Sequence, residues 1–286
     1  MIEGGGMEIE RYLETYKRKQ VNEKSSNTVE AYIRDIKQFI SFKDIEKATT
    51  EDVENFKKLL LSRNIKPKSI NRKLVSVRQF IEYLNRLEDF EPKIFLEIKL
   101  IKIQRQEYLE EILSKSDFDR LVRAAEKEND KRAVAIFETL YLTGARVSEL
   151  LQFNVEDVKK NSKMISGKGS KYRELFMPEA LQDYLSDYAK ARRIESGKLF
   201  LNVNNDKTMD RQSVHNLIKK YAGISKVKLS KAHAHNFRHL YCFKLREMGL
   251  SLDEIADLAG HSDINTTKIY TRRTKPELMN MIRKLN

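Results

Sequence analysis

The chain has 286 residues, a length typical of two domains. Its 55 Lys and Arg against 42 Asp and Glu give a net charge of +13, so a polyanion such as nucleic acid is the expected partner. No apolar run approaches the ~18 residues of a membrane helix and no signal peptide is evident, which predicts a soluble, cytoplasmic protein. The single Cys, Cys242, excludes an internal disulfide and is expected in an apolar core.

Residues 1–90 are predicted to form an N-terminal helical bundle, with residues 1–7 as a flexible leader. Apolar residues recur at i, i+3, i+4 and i+7, the spacing that places them on one face of a helix. Four such stripes follow one another along the chain: Ile9 to Tyr16, Val29 to Ile40, Val53 to Leu60, and Ile70 to Leu84.

The other face of the fourth helix carries three cations, Arg72, Lys73 and Arg78. In a basic protein these side chains are predicted to contact DNA phosphates. The alternative is an ordinary solvated face of the helix.

Residues 91–111 are predicted to be an interdomain linker. This stretch contains a Pro, lacks a helical period and alternates Ile or Leu with Lys. The alternative is an edge strand of the second domain.

A second, mainly helical domain is predicted over residues 112–286. Within it, two short runs surround a Gly-rich polar turn at residues 163–177 and predict a β-hairpin. Residues 276–286 are predicted to form a short amphipathic helix.

Several polar residues of this domain together suit attack on a phosphodiester. Arg146 stands in TGARVSEL, His235 and Arg238 lie three apart in HNFRH and share a helix face, and Tyr270 stands in TTKIYTR. A Tyr is a poor nucleophile near neutrality unless the site helps it, and guanidinium groups suit a phosphate because they stay protonated and donate as a planar fork. Lys168 in SGKGSKYREL and His261 in LAGHSD complete the set.

In order, type and spacing, these segments resemble the tyrosine recombinase (phage integrase) family, closest to the Xer recombinases and with an archaeal member expected. The resemblance implies an all-α, SAM-like core-binding domain followed by a mainly α catalytic domain with a small antiparallel β-sheet. It also implies six catalytic residues: Arg146, Lys168, His235, Arg238, His261 and Tyr270.

The resemblance assigns roles to these residues, with Arg146 and Arg238 on the phosphate and His261 donating to a non-bridging oxygen. Tyr270 is the nucleophile and His235 assists its proton transfer, while Lys168 is the general acid for the leaving 5′-oxygen. Either Lys171 or Arg173 could be the true contact instead of Lys168, and both are predicted to bind DNA. Glu149, one turn after Arg146, is a candidate for orienting an arginine, with simple exposure as the alternative.

No cofactor, metal or nucleotide is expected. SGKGS lacks the GxxxxGK pattern of a nucleotide-binding loop, because Ser162 stands where its first Gly should be. The chain also lacks HExxH and paired Cys, and has no acidic cluster suited to two metal ions.

The expected function is site-specific recombination of double-stranded DNA at paired inverted repeats, through a 3′-phosphotyrosyl intermediate. The family further implies a tetramer on DNA, a terminal helix that docks on a neighbouring protomer, and resolution of chromosome dimers at cell division as the Xer default. The alternatives are a mobile-element integrase, a type IB topoisomerase, and a catalytically silent DNA-binding protein.

Overall fold

A computed structural model describes residues 4–91, 93–103, 112–166, 172–204 and 206–260, together with Thr267, Met279, Ile282 and Arg283. The chain divides into two compact units, Met1–Arg105 and Gln106–Asn286. Among the described residues, no helix is both long and apolar enough to cross a membrane.

Four helices form the first unit within the described residues: α1 (Gly4–Glu23), α2 (Ser26–Phe42), α3 (Thr50–Ser62) and α4 (Pro67–Asn85). A capping box between Thr49 and Asp52 begins α3, and Pro67 occupies the first position of α4, where no backbone N–H is needed.

The apolar stripes predicted from the sequence supply the core of the first unit. Leu13, Ile36, Leu60 and Leu74 are each 0% exposed, one from each helix in turn. Burial of these stripes, rather than helix propensity alone, stabilises the bundle.

An extended segment, residues 93–103, lies on the first unit and contains no helix or strand. The side-chain amide of Asn85 bonds both the N–H and the C=O of Ile94, at 2.8 and 2.6 Å. Asn71 does the same at Ile101, at 2.8 and 2.9 Å. The segment therefore runs antiparallel to α4, and Ile94 joins the apolar core.

The second unit contains seven helices among its described residues. They are α5 (Lys115–Lys127), α6 (Lys131–Thr143), α7 (Val147–Leu150), α8 (Glu179–Arg192), α9 (Arg211–Ile224), α10 (Ala234–Glu247) and α11 (Leu252–Ala259). Helix α6 is central: it is buried almost continuously from Ala133 to Leu140 and contacts α5, α8 and α10.

The predicted hairpin is present as an antiparallel pair, β1 (Ser162–Ser166) and β2 (Tyr172–Phe176). Its inner face carries Ile165 and Leu175, both nearly fully buried. Arg173 pairs with Ile165 in the strand register, so it belongs to the same face. Across the described ranges the architecture is mainly helical with one small antiparallel sheet, which confirms the predicted fold class.

Candidate active site

Gly144 ends α6 and directs the chain towards Arg146. Its φ of 60° is in the left-handed region that favours glycine. A β-carbon here would overlap the ring of Tyr241 from α10, so a side chain at this position is excluded by packing as well as by conformation. Arg146 then precedes the first residue of α7, and its side chain remains 45% exposed.

Glu149 on α7 is a buried carboxylate, 2% exposed, that binds two arginines. One oxygen accepts from Arg146 Nη1 at 2.8 Å, and the other accepts from Arg173 Nη2 at 2.7 Å and from the Arg146 backbone N–H at 2.8 Å. Burial by itself would raise the pKa of Glu149, but the bonds from Arg173 and Arg146 outweigh it and the pKa is lowered. Glu149 is therefore ionised at neutral pH and orients both guanidinium groups.

Arg238 lies on α10 and is only 1% exposed. Its Nη1 donates to the carbonyl of Gly144 at 2.9 Å, and its Nη2 donates to the carbonyl of Ala259. Burial, together with the nearby charges of Arg146 and Arg173, lowers the pKa of Arg238 to about 10, which leaves it protonated at neutral pH.

The C-terminal turn of α11 joins these arginines. Three consecutive carbonyls, those of Leu258, Ala259 and Gly260, each accept from a different guanidinium. The donors are Arg173 at 2.7 Å, Arg238, and Arg146 at 3.1 Å, respectively. The last carbonyls of a helix lack helical partners and carry negative partial charge, so this turn is a natural acceptor for cations.

His235, in the first turn of α10, stands beside this cluster. Its ring lies 4.4 Å from that of His239 in an edge-to-face arrangement. Partial burial and then the charges of Arg238, His233 and Arg146 lower the pKa of His235 below its ordinary value, although the residue retains access to solvent. The imidazole is therefore mostly neutral at pH 7 and able to accept a proton.

Four predicted site residues, Lys168, Lys171, His261 and Tyr270, lie outside the described residues. The flanking backbone of the hairpin is nevertheless described. At the end of β1, Ser166 exchanges two hydrogen bonds with the side-chain amide of Gln152, at 3.0 and 3.1 Å.

The three cations predicted on α4 differ in their surroundings. Arg72 and Lys73 both bind Asp35, which is 0% exposed, and Lys73 also donates to Gln38 at 2.7 Å. Arg78 is exposed and makes no ion pair among the described residues. Arg78 thus has the most accessible charge of the three, and DNA contact by each of them stays a prediction.

The three carbonyls at the end of α11 could not be predicted from side-chain patterns, because they are backbone groups. The only local signal was Gly260, which ends an apolar helix with φ 63°. The described residues contain no group of three or more His, Cys, Asp or Glu that could hold a metal ion. The cluster places several protonated guanidinium groups beside a neutral imidazole. This arrangement suits a phosphate under nucleophilic attack.

Comparisons with known proteins agree with this geometry. Residues 111–277 match the model of the phage integrase family, and residues 9–88 match that of its N-terminal SAM-like domain. The chain is 30% identical to TnP I resolvase of Bacillus thuringiensis over 96% of its own length and 98% of that protein. It is 28% identical to the tyrosine recombinase XerC of Staphylococcus aureus (strain JH9), with 89% and 88% of the two chains covered.

Two solved structures share the fold. The crystal structure of XerA recombinase covers 97% of this chain and 99% of its own, at 24% identity and a TM-score of 0.54. XerH bound to its palindromic difH substrate covers 89% and 78%, at 17% identity and a TM-score of 0.72. The chain belongs to the phage integrase family and is a tyrosine site-specific recombinase.

Proposed function

We propose that this recombinase cuts and rejoins double-stranded DNA at paired inverted repeats, with Tyr270 as the nucleophile. The observation that supports this most strongly is the convergence of Arg146 and Arg238 on adjacent carbonyls of α11, immediately before His261 in the sequence. Two guanidiniums brought together from distant segments are what the two non-bridging oxygens of a phosphate need.

In the proposed reaction, the Tyr270 oxygen attacks the phosphorus and the bond to the 5′-oxygen breaks. The products are a 3′-phosphotyrosyl link and a free 5′-hydroxyl. His235 accepts the phenol proton, and Lys168 donates a proton to the leaving oxygen. Arg146, Arg238 and His261 stabilise the charge on the non-bridging oxygens. The free hydroxyl then attacks the phosphotyrosyl link of the partner strand, which releases Tyr270 and needs no metal or nucleotide.

We further propose that the chain acts in the cytoplasm as a tetramer on DNA, with residues 276–286 docking on a neighbouring protomer. Solved relatives include XerH with its difH substrate and a lambda integrase dimer bound to a core site. The net charge of +13 supports a DNA partner. Binding should therefore weaken steeply with salt as counterions are released from the phosphates.

The proposed cellular role is Xer-type resolution of chromosome dimers, and the similarity to XerC supports it. The second candidate is the role of a mobile-element recombinase, which the similarity to TnP I resolvase favours. Sequencing the genomic DNA that becomes covalently attached to the protein distinguishes them. A single site in the chromosome's terminus region supports the first role, and sites at the ends of an element support the second.

Covalent capture on DNA tests the chemistry. Nicked duplexes from a randomised library are incubated with the protein, and denaturant-resistant adducts are sequenced to give one selected duplex. We expect Tyr270→Phe to abolish this adduct while DNA binding persists. Tyr172→Phe is the matched control, because Tyr172 is 69% exposed on β2, and it should leave the adduct unchanged.

Two outcomes would contradict the proposal. An adduct that survives in Tyr270→Phe would mean that another residue is the nucleophile. An adduct that disappears in a metal chelator and returns with a divalent ion would refute the metal-independent chemistry.

A further inference from the structure

We propose that Arg173 is a positioning residue that fixes the phosphate-binding arginines, and that it does not bind DNA. The inference rests on the proposed function, because it concerns the same site. It replaces the interpretation of Arg173 as a DNA contact, which its place in a basic hairpin had suggested.

Arg173 lies on the inner face of the hairpin and its side chain is only 12% exposed. Nη2 donates to the Glu149 carboxylate and Nη1 donates to the carbonyl of Leu258, each at 2.7 Å. The third nitrogen, Nε, is buried and has no acceptor among the described residues. The guanidinium is thus directed into the protein, where it joins the hairpin to both α7 and α11.

These contacts connect Arg173 to the arginines predicted to bind phosphate. It shares Glu149 with Arg146, and it binds the carbonyl next to the one that accepts from Arg238. Without Arg173, one oxygen of the buried Glu149 would lose its cation, and the free carbonyl of Leu258 could draw another guanidinium out of place. A small displacement of a catalytic group is enough to slow a reaction by about 10²-fold.

Arg78 provides the matched comparison for DNA contact, since it is an exposed arginine on α4 with no ion pair among the described residues. A phosphate contact raises the salt dependence of binding, and its loss lowers the slope of log K against log salt by about 1. An arginine whose guanidinium binds only protein groups contributes nothing to this slope. Measuring DNA binding of the two variants at a series of salt concentrations should therefore distinguish the two arginines.

The experiment compares Arg173→Ala, Arg173→Lys and Arg78→Ala with the unaltered chain on the selected nicked duplex. We expect Arg173→Ala to slow adduct formation about 10–100-fold at saturating protein, with the salt slope unchanged. Arg173→Lys should recover part of the rate, because it keeps a cation beside Glu149 but cannot reach both acceptors. Arg78→Ala should lower the slope by about 1.

A second substrate separates positioning from general damage to the fold. A methylphosphonate at the scissile position is uncharged, so cleavage there needs less help from guanidinium groups. If Arg173 acts by placing Arg146 and Arg238, the difference between Arg173→Ala and the unaltered chain should largely vanish on this substrate.

Three results would overturn the inference. Equal slowing on both substrates would mean that Arg173 only maintains the fold. A reduced salt slope in Arg173→Ala would mean that Arg173 does contact DNA. An unchanged rate on the phosphodiester would remove any role in the reaction. Absence of an adduct with the unaltered chain would instead refute the proposed function, and the inference with it.

Discussion

Both units of the molecule bury a carboxylate among cations, but the balance of charge differs. In the first unit Asp35 binds Arg72 and Lys73, and one of these cations, Arg72, remains 40% exposed to solvent. In the second unit Glu149 faces a cluster of three arginines, and the remaining bonds of that cluster go to backbone carbonyls.

Carbonyls satisfy the donors of an arginine without cancelling its charge. The described part of the second-unit cluster, three arginines and one carboxylate, therefore keeps an excess of about two positive charges. Because the cluster is largely buried, the desolvation of these charges costs free energy. A bound phosphate would neutralise much of this excess. The larger and more deeply buried excess of cations thus lies at the proposed reactive site, whereas the Asp35 cluster, with an excess of about one charge and a partly exposed Arg72, holds helices together.

The largest effect should come from Arg238→Lys. Lysine keeps the charge but offers one nitrogen, so it cannot reach both Gly144 and Ala259 and still serve a phosphate. We expect adduct formation to slow by about 10²–10³-fold, the effect of losing one donor to a developing oxyanion. Single-turnover cleavage of the selected duplex measures it. Lys160→Arg, an exposed lysine beside Asp157, is the control and should leave the rate unchanged.

Changes in the Asp35 cluster should alter stability instead. Asp35→Asn leaves Lys73, whose side chain is only 13% exposed, without its carboxylate and should destabilise the first unit by about 2–4 kcal/mol. Hydrogen exchange of α2 and α4 amides in the full chain measures this loss as faster exchange. Slower adduct formation at saturating protein, with the fold intact, would contradict the division between the two clusters.

Glu138 on α6 is the opposite case, a carboxylate that is 7% exposed and has no ion pair among the described residues. Burial raises the pKa of Glu138 from 4.5 to about 7. The folded state therefore binds the proton more tightly than the unfolded state. Its stability falls as pH rises from 4.5 to about 7, by at most about 3 kcal/mol.

Glu138→Gln should accordingly raise the midpoint of thermal unfolding by several degrees at pH 8.5 and give no gain at pH 4.5, given ~2–4 °C per kcal/mol for a domain of this size. The exposed Glu179→Gln serves as the control and should show no such dependence. Equal midpoints for Glu138→Gln and the unaltered chain at pH 8.5 would mean that Glu138 is solvated or paired in solution.

Much of the fold was predictable because burial imposes periodicity. Leu13, Ile36, Leu60 and Leu74 were each identified from helical spacing alone and are fully buried. Segment 93–103 was harder, since its alternation of Ile or Leu with Lys fits a linker or an edge strand equally. The segment is held by the side chains of Asn71 and Asn85 on α4, and periodicity within the segment carries no signal of these bonds.

The side chains of the candidate site were identified from the sequence, but the backbone groups that bind them were not. Arg146, His235 and Arg238 were identified as candidates and lie around one cluster, whereas the α11 carbonyls gave no signal. Arg173 was interpreted as a DNA contact because it stands near Lys168, and the alternation in β2 is too ambiguous to exclude that. Tyr172 and Phe176 mark one face as apolar and Leu175 marks the other, and only the packed hairpin shows that Leu175 and Arg173 face inward.

Substitutions at two glycines with positive φ should have the smallest effect on the arginine cluster. Gly249 has φ 90° with open space around it, whereas a β-carbon on Gly260, at φ 63°, would overlap Arg173. Alanine at either position should destabilise the protein by about 1 kcal/mol through the left-handed backbone. Only Gly260→Ala should also slow adduct formation, because it displaces Arg173 from Leu258.

A double variant completes that test. If both changes act through the guanidinium, Gly260→Ala combined with Arg173→Ala should be no slower than the slower single variant, since the displaced group is already absent. If the rate reductions of the two single variants instead multiply in the double variant, Gly260→Ala acts through the chain leading to His261. In that case the close fit between Arg173 and the end of α11 would stabilise the fold without setting the rate.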